Sequence, residues 1–359
     1  MESITIGVLQ PLSTIFQLSK EFGRGLKDAV NAEAGDVKVE IINEYIASGD
    51  TLTVEKAISK LLTFDEVDLV TGIVSNRVIE KIARKFLDNE KVLLVNNLGG
   101  HVPNVAELNK NVFLNSPHLW RHAYTIGNWG VKTFGKKGMF IGAVYDAGYS
   151  FSQMFYEGMM AADATAEWSF SVPPMRNPGE LTNMDVIFPF LEQYQPDFIF
   201  AAFCGKETTQ FLNEMIKRGW HKKTKITGLP YLTAPFNPLD DDVTVYTTAP
   251  FANEPDVLPA EVFYHLGRQS GSIIANAART SNGHDLAQHI AKNLQLFHLS
   301  AKTDDDSRLT IMRNDMVAGK SDFSAAKVTD WGTFPLAIEQ LRPLTQGIIS
   351  GWFNPYLCV

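Results

Sequence analysis

Residues 135–159 read GKKGMFIGAVYDAGYSFSQMFYEGM: an apolar run over Gly138–Val144, a turn at 145–150, then a helical pattern over Phe151–Ala162. A short apolar run bounded by turn residues fits a buried strand, and a helix directly behind it makes the first half of a β–α–β unit. The order recurs at 195–220, QPDFIFAAFCGKETTQFLNEMIKRGW, with a strand at Phe198–Phe203 and a helix over Glu207–Gly219. Alternation of this kind implies a parallel sheet with helices on both faces.

Toward the N-terminus the alternation continues. Strands are predicted at Ile4–Leu9, Val37–Ile42, Leu69–Gly72, Val92–Asn96 and Val112–Leu114, with helices over Phe16–Ala34, Leu52–Leu62 and Val78–Leu87. Phe22, Leu26, Ala29 and Val30 mark the inward face of the first helix. On the C-terminal side come a strand near Trp168–Val172, a helix at Val186–Tyr194, and strands at Ile226–Gly228 and Val243–Thr248. Helices over Glu261–Arg268, Ser272–Thr280 and Asp285–Leu296 follow. The architecture repeats while the sequence does not, so the expected fold is α/β, with two doubly wound lobes. The first series ends in the proline-containing turn at Asn115–Leu119, and Ala249–Pro259, with three prolines, crosses back. The expected division is 1–117 plus about 250–325 in one lobe, and 118–249 plus about 326–359 in the other.

The 359 residues carry 40 acidic and 32 basic side chains, a net charge of −8, with no basic run. Nucleic acid and anionic membranes are therefore excluded as expected partners. No apolar stretch is long enough to span a bilayer. Cys204 and Cys358 make neither a disulfide framework nor a CxxC site. The opening MESITIGVLQPLS lacks the basic and apolar segments of a secretory leader, and a strand begins three positions after Met1, as in a mature domain whose leader has been removed.

Catalytic signatures fail one by one. Gly319-Lys320-Ser321 lacks the first glycine of a phosphate loop, which would fall at Asn314. Gly23-Arg24-Gly25 lacks the third glycine of a dinucleotide fingerprint, because position 28 is Asp28, and reads as a site of close helix packing. His118 and His122 have the spacing of two metal ligands but no glutamate and no third ligand, so they read as surface or hinge histidines. There is no G-x-S-x-G elbow, and the acidic triplets at 240–242 and 304–306 lack the spacing of a calcium loop. No catalytic residue, metal site or cofactor is expected.

What remains is a set of loops at the carboxyl ends of the strands, where open α/β sheets bind ligands. Residues 71–76 place Ser75 or Asn76 at a helix start, and 96–100 end in the glycine pair Gly99-Gly100. Residues 145–150 carry Tyr149, and Phe203-Cys204-Gly205 and Gly228–Tyr231 occupy equivalent positions. Each loop alone is also satisfied by a plain cap or turn.

Together these segments resemble the type I periplasmic binding proteins, in particular the branched-chain amino-acid binding group that serves ABC transporters. ITIGVLQPLS at 4–13 with FGRGLKDAVNA at 22–32, VDLVTGIVSNRVIEKIA at 67–83 and KVLLVNNLGG at 91–100 resemble that family's first strands and crevice loops. The two segments quoted at the outset are the most specific matches. The resemblance covers about 4–250, holds only in helix layout over 251–300, and hardly extends past 301. It implies two lobes on three crossings that close on a small polar or aromatic metabolite, amino acid or related compound, without catalysis. Carried over by position, it implies ligand contacts from Ser13, Ser75 and Asn76, from Leu98, Gly99 and Gly100 through backbone, and from Tyr149 as an aromatic cover. Cys204 falls where the family has another aromatic or polar contact, and Tyr231 or its neighbour where amino-acid binders carry an acid for the ammonium. That acid is missing here, and Asn115-Ser116 replaces an arginine-containing hinge segment. The implied partners are the small molecule and a membrane ABC permease, the implied location periplasmic, and the expected state a monomer. A cytosolic metabolite- or amide-sensing module of the same fold, and an enzyme working in the interlobe cleft, stand as alternatives.

Overall fold

A computed structural model describes residues 3–12, 17–104, 108–144, 146–175, 180–233, 240–251, 261–281, 285–293, 308–320, 323–334 and 338–345. Ser13, the acidic triplet at 304–306 and Cys358 lie outside the described residues.

The first sheet has five strands: β1 (Ser3–Gln10), β2 (Lys38–Tyr45), β3 (Leu69–Ile73), β4 (Val92–Asn96) and β5 (Val112–Asn115). They run parallel in the order β2-β1-β3-β4-β5. Between them lie α1 (Leu18–Glu33), α2 (Thr51–Thr63) and α3 (Asn76–Asp88). The chain then enters α4 (Leu119–Thr133) and builds a second sheet from β6 (Lys137–Gly142), β7 (Glu167–Ser171), β8 (Phe198–Ala202), β9 (Lys225–Gly228) and β10 (Val243–Thr248). Its helices are α5 (Phe151–Ala162), α6 (Ile187–Tyr194) and α7 (Lys206–Lys217). After β10 the chain returns to the first lobe as α8 (Val262–Ser281) and α9 (Leu286–Asn293), and then supplies β11 (Arg308–Met316), β12 (Phe323–Gly332) and α10 (Ile338–Thr345).

The apolar runs are unbroken because every inner strand is covered on both faces, each residue facing opposite its neighbour. In β6, Met139 and Ile141 join one core while Phe140 joins another. In β4, Val92 and Leu94 face the α1 side, and Leu93 and Val95 face α2 and α3. The α1-side core of the first lobe continues without interruption through Leu98, Leu119 and Trp120 into the α4–α5 side of the second.

Two helix pairs fasten this central layer, and both meet through glycine. A Cβ on Gly25 of α1 would lie 2.1 Å from the Tyr264 carbonyl oxygen of α8, and one on Gly267 of α8 would lie 2.1 Å from that of Phe22. In the second lobe, a Cβ on Gly127 of α4 would lie 2.3 Å from the Phe155 oxygen, and one on Gly158 of α5 would lie 2.0 Å from the Tyr124 oxygen. The close packing expected at Gly23-Arg24-Gly25 is thus real and belongs to Gly25.

Two expectations are corrected. The segments 261–268 and 272–280, expected as two helices, form one helix, α8, and its Gly267 and Gly271 are the surface on which α1 packs. The strand at 308–316, assigned with the first lobe, pairs antiparallel with β10 and belongs to the seven-stranded second sheet, ordered β12-β11-β10-β9-β8-β6-β7. The second sheet is therefore mixed rather than purely parallel.

Replacing Gly158 by alanine forces α5 away from α4, at a cost of about 1–3 kcal/mol. Differential scanning calorimetry of Gly158→Ala is expected to show a melting temperature lowered by several degrees. Gly332→Ala, where a Cβ meets nothing within 4 Å, is expected to leave it unchanged.

Candidate functional site

The loop ends of both sheets converge between the lobes. At the end of β3, Ser75 caps α3 by accepting from the Arg77 N–H at 3.3 Å. Asn76 is wholly engaged: its Nδ2 donates to the His101 carbonyl at 2.7 Å, and its Oδ1 accepts from Asn97 Nδ2 at 2.7 Å. Asn97 in turn accepts from the Gly99 N–H at 2.8 Å. This chain of amides fixes the loop after β4, so Asn76 positions Leu98–His101 through its side chain.

That loop is the junction of the lobes. Gly99 has φ 71, a left-handed conformation that suits glycine, and a Cβ there would lie 2.5 Å from the His118 Cα. The carbonyls of Leu98 and Gly99 accept from the N–H groups of Leu119 and Trp120, each at 2.9 Å, which satisfies the first donors of α4. From the second lobe, the Ser150 N–H donates to the Gly100 carbonyl at 2.9 Å, and Ser150 Oγ accepts from the Val102 N–H at 3.2 Å. Tyr149 lies on Gly100, where a Cβ would come within 2.5 Å of its ring, and its centroid is 5.2 Å from that of His101. The lobes are in contact across the cleft.

Behind Tyr149, Asp146 begins a single helical turn and is buried. Its carboxyl stays protonated well above the usual carboxylate range, first because it is buried and second because Glu207 is nearby. Both of its oxygens lie 3.8 Å from Cys204 Sγ. Cys204 is disulfide-bonded. Tyr231 is buried beyond Leu229, and its hydroxyl has no hydrogen-bond partner. Of the expected site residues, Leu98, Tyr149, Cys204 and Tyr231 share one continuous buried cluster, and Gly99, Gly100, Ser75 and Asn76 adjoin it. Ser13 lies outside the described residues.

His118 and His122 do not form a pair. His122 is buried at the hinge, with Nε2 donating to the Pro117 carbonyl at 2.9 Å. Because that carbonyl can only accept, a neutral His122 must accept at Nδ1 from the Thr248 hydroxyl, 2.6 Å away. Burial pushes both histidines down to about 3, with Arg121 adding to it. The same desolvation lowers Arg121 to about 10, where its Nε donates to the Phe334 carbonyl at 3.2 Å. Among the described residues no group of three His, Cys, Asp or Glu could hold a metal.

Sequence reasoning missed His101, Asp146 and Ser150 as parts of this junction, and it read His118 as a surface or hinge histidine. His101 directly follows the glycine pair, and Asp146 and Ser150 flank Tyr149 in its loop, so adjacency was the available signal.

Unfolding lets His118 and His122 each take up a proton below about pH 6.5 that the fold refuses down to about 3, so stability falls as the pH drops through that window. Asp146 acts in the opposite sense, since the fold keeps a proton that the unfolded chain releases above 3.8. Each uncompensated proton contributes about 1.4 kcal/mol per pH unit. Calorimetry is expected to show a melting temperature that falls from pH 7 to pH 5, and a shallower fall in His118→Phe.

The periplasmic binding protein family matches residues 3–264. No curated protein sequence matches the chain. Among solved structures, the fold is similar to an ABC transporter substrate-binding protein from Sphaerobacter thermophilus, 17% identical with a TM-score of 0.67, covering 94% of this chain and 100% of that one. It is also similar to a solute-binding protein of an ABC transporter from R. palustris in complex with 4-hydroxybenzoate, 13% identical with a TM-score of 0.63, covering 93% and 97%. A branched-chain amino acid ABC transporter periplasmic ligand-binding protein from Burkholderia xenovorans is 13% identical with a TM-score of 0.65, covering 94% and 96%.

Proposed function

Since this chain belongs to the periplasmic binding protein family, we propose that it is a solute-binding receptor that captures a small polar or aromatic metabolite between its lobes and presents it to a membrane ABC transporter. The observation that carries the reading is the seat across the cleft, where Tyr149 and Ser150 of the second lobe settle on Gly100–Val102 of the first. A seat formed by loops at the strand ends encloses whatever occupies the space between them, and closing lobes bury most of a small ligand. Similar folds are named for amino-acid uptake and for a hydroxybenzoate complex, so both ligand classes come into question. Asp146, the buried acid among the described residues, has its pKa raised by burial and by Glu207, so an anionic partner for a ligand ammonium is costly there, which favours an aromatic or hydroxylated compound. The family and the disulfide at Cys204 both fit an oxidising, extracytoplasmic compartment.

A thermal-shift screen of amino acids, aromatic acids, phenols, amides and ureas tests this directly, because a ligand that binds only the folded form raises its melting temperature. One of these classes is expected to do so. Tyr149→Ala is expected to weaken that ligand by tenfold or more, a loss of roughly 1.4 kcal/mol. If the variant unfolded while its folded fraction bound normally, Tyr149 would be a packing residue.

A further inference from the structure

We infer that the imidazole of His118 is a ligand anchor at the hinge end of the cleft, recognising a neutral group that both donates and accepts a hydrogen bond, namely a hydroxyl or a carboxamide. The inference rests on the receptor reading above and specifies the chemistry of its ligand.

His118 is 5% exposed, and both of its ring nitrogens are buried without a hydrogen-bond partner. A neutral imidazole carries one donor and one acceptor, and leaving both unmade inside a protein is costly. His122, one turn along the same helix and equally buried, has both nitrogens satisfied, so a lack of local partners is peculiar to His118. His118 has φ 55, a left-handed conformation that histidine enters more readily than most residues. Its own N–H donates to Ser116 Oγ at 3.0 Å, and the next two N–H groups are held by Leu98 and Gly99.

The neighbours extend the same pattern. Trp120, whose ring centroid is 6.3 Å from that of His118, has a buried and unpartnered Nε1, a donor. Asn115, three residues before His118, has a buried and unpartnered Oδ1, an acceptor, while its Nδ2 donates toward Asn96 and α8. Within six residues of the first interlobe crossing, the chain therefore keeps a donor, an acceptor and an amphiprotic ring unsatisfied, beneath the loop that carries Gly99 and Gly100. Charge selects among possible occupants. Arg121, three residues on, and burial both keep His118 neutral, so a second positive charge beside this ring is disfavoured. A hydroxyl or carboxamide supplies a donor and an acceptor with no charge to bury.

The experiment uses 4-hydroxybenzoate, 4-carbamoylbenzoate and benzoate as probes, titrated by calorimetry against the wild type and His118→Phe. The wild type is expected to prefer one of the first two over benzoate by tenfold or more, and His118→Phe to reduce that preference to about twofold. Without ligand, the variant is expected to melt at or above the wild-type temperature at pH 7, since it removes two orphaned nitrogens and keeps the ring's shape. A preference that survives the substitution overturns the inference, as does a ligand-free variant that melts several degrees lower. If amino acids bind the wild type and the variant alike while none of the three probes binds, the inference fails and the receptor reading stands. If no compound in the wider screen binds at all, the receptor reading itself fails.

Discussion

Two backbone hydrogen bonds, from the N–H groups of Leu119 and Trp120 to the carbonyls of Leu98 and Gly99, hold the leading helix of the second lobe on a loop of the first. Much of the junction depends on them. They require the left-handed turn at Gly99 and lie beside the left-handed His118, and they consume the donors with which the start of α4 could otherwise bind an anion. From this fixed end, α4 reaches the other connections. His122 ties the first crossing at Pro117 to the end of β10 at Thr248. Arg121 holds the Phe334 carbonyl, and Asn128 Oδ1 accepts from Trp331 Nε1 at 3.0 Å. The helix is thus a common mount for the hinge.

At the junction Ser150 contributes two hydrogen bonds, each worth about 1 kcal/mol net, and Tyr149 lies against Gly100 and His101. Behind it in the second lobe, Phe140, Phe155, Phe198 and Phe200 are fully buried. In a protein whose lobes open and close, a ligand that buries surface against both favours the closed state.

The fold was legible because its signals are local. Parallel strands covered on both faces give continuous apolar runs such as Phe198–Ala202, and α1 shows its inward face at Phe22, Leu26 and Val30. Where the decisive contact is distant, the reading failed. The segments 261–268 and 272–280 join into one helix on which α1 lies through Gly267 and Gly271, and β11 finds its place only by pairing with β10, some 70 residues earlier. The site divides in the same way. Its loops follow from strand order, but the engagement of Asn76 depends on Asn97 and His101, 21 and 25 residues away. The contrast between His118 and His122 depends on Thr248. No spacing rule carries that information, because a hydrogen bond is satisfied or left open in three dimensions.

The central claim is that two lobes, mounted through α4, close on a small molecule between them. Small-angle scattering of the protein with and without a saturating ligand from the thermal-shift screen tests it most directly. The account predicts a smaller radius of gyration in the liganded protein, with the profile converging on that calculated for the arrangement in which Tyr149 and Ser150 meet Gly100–Val102. Superimposable profiles at saturation, or a ligand that expands the particle, would contradict it.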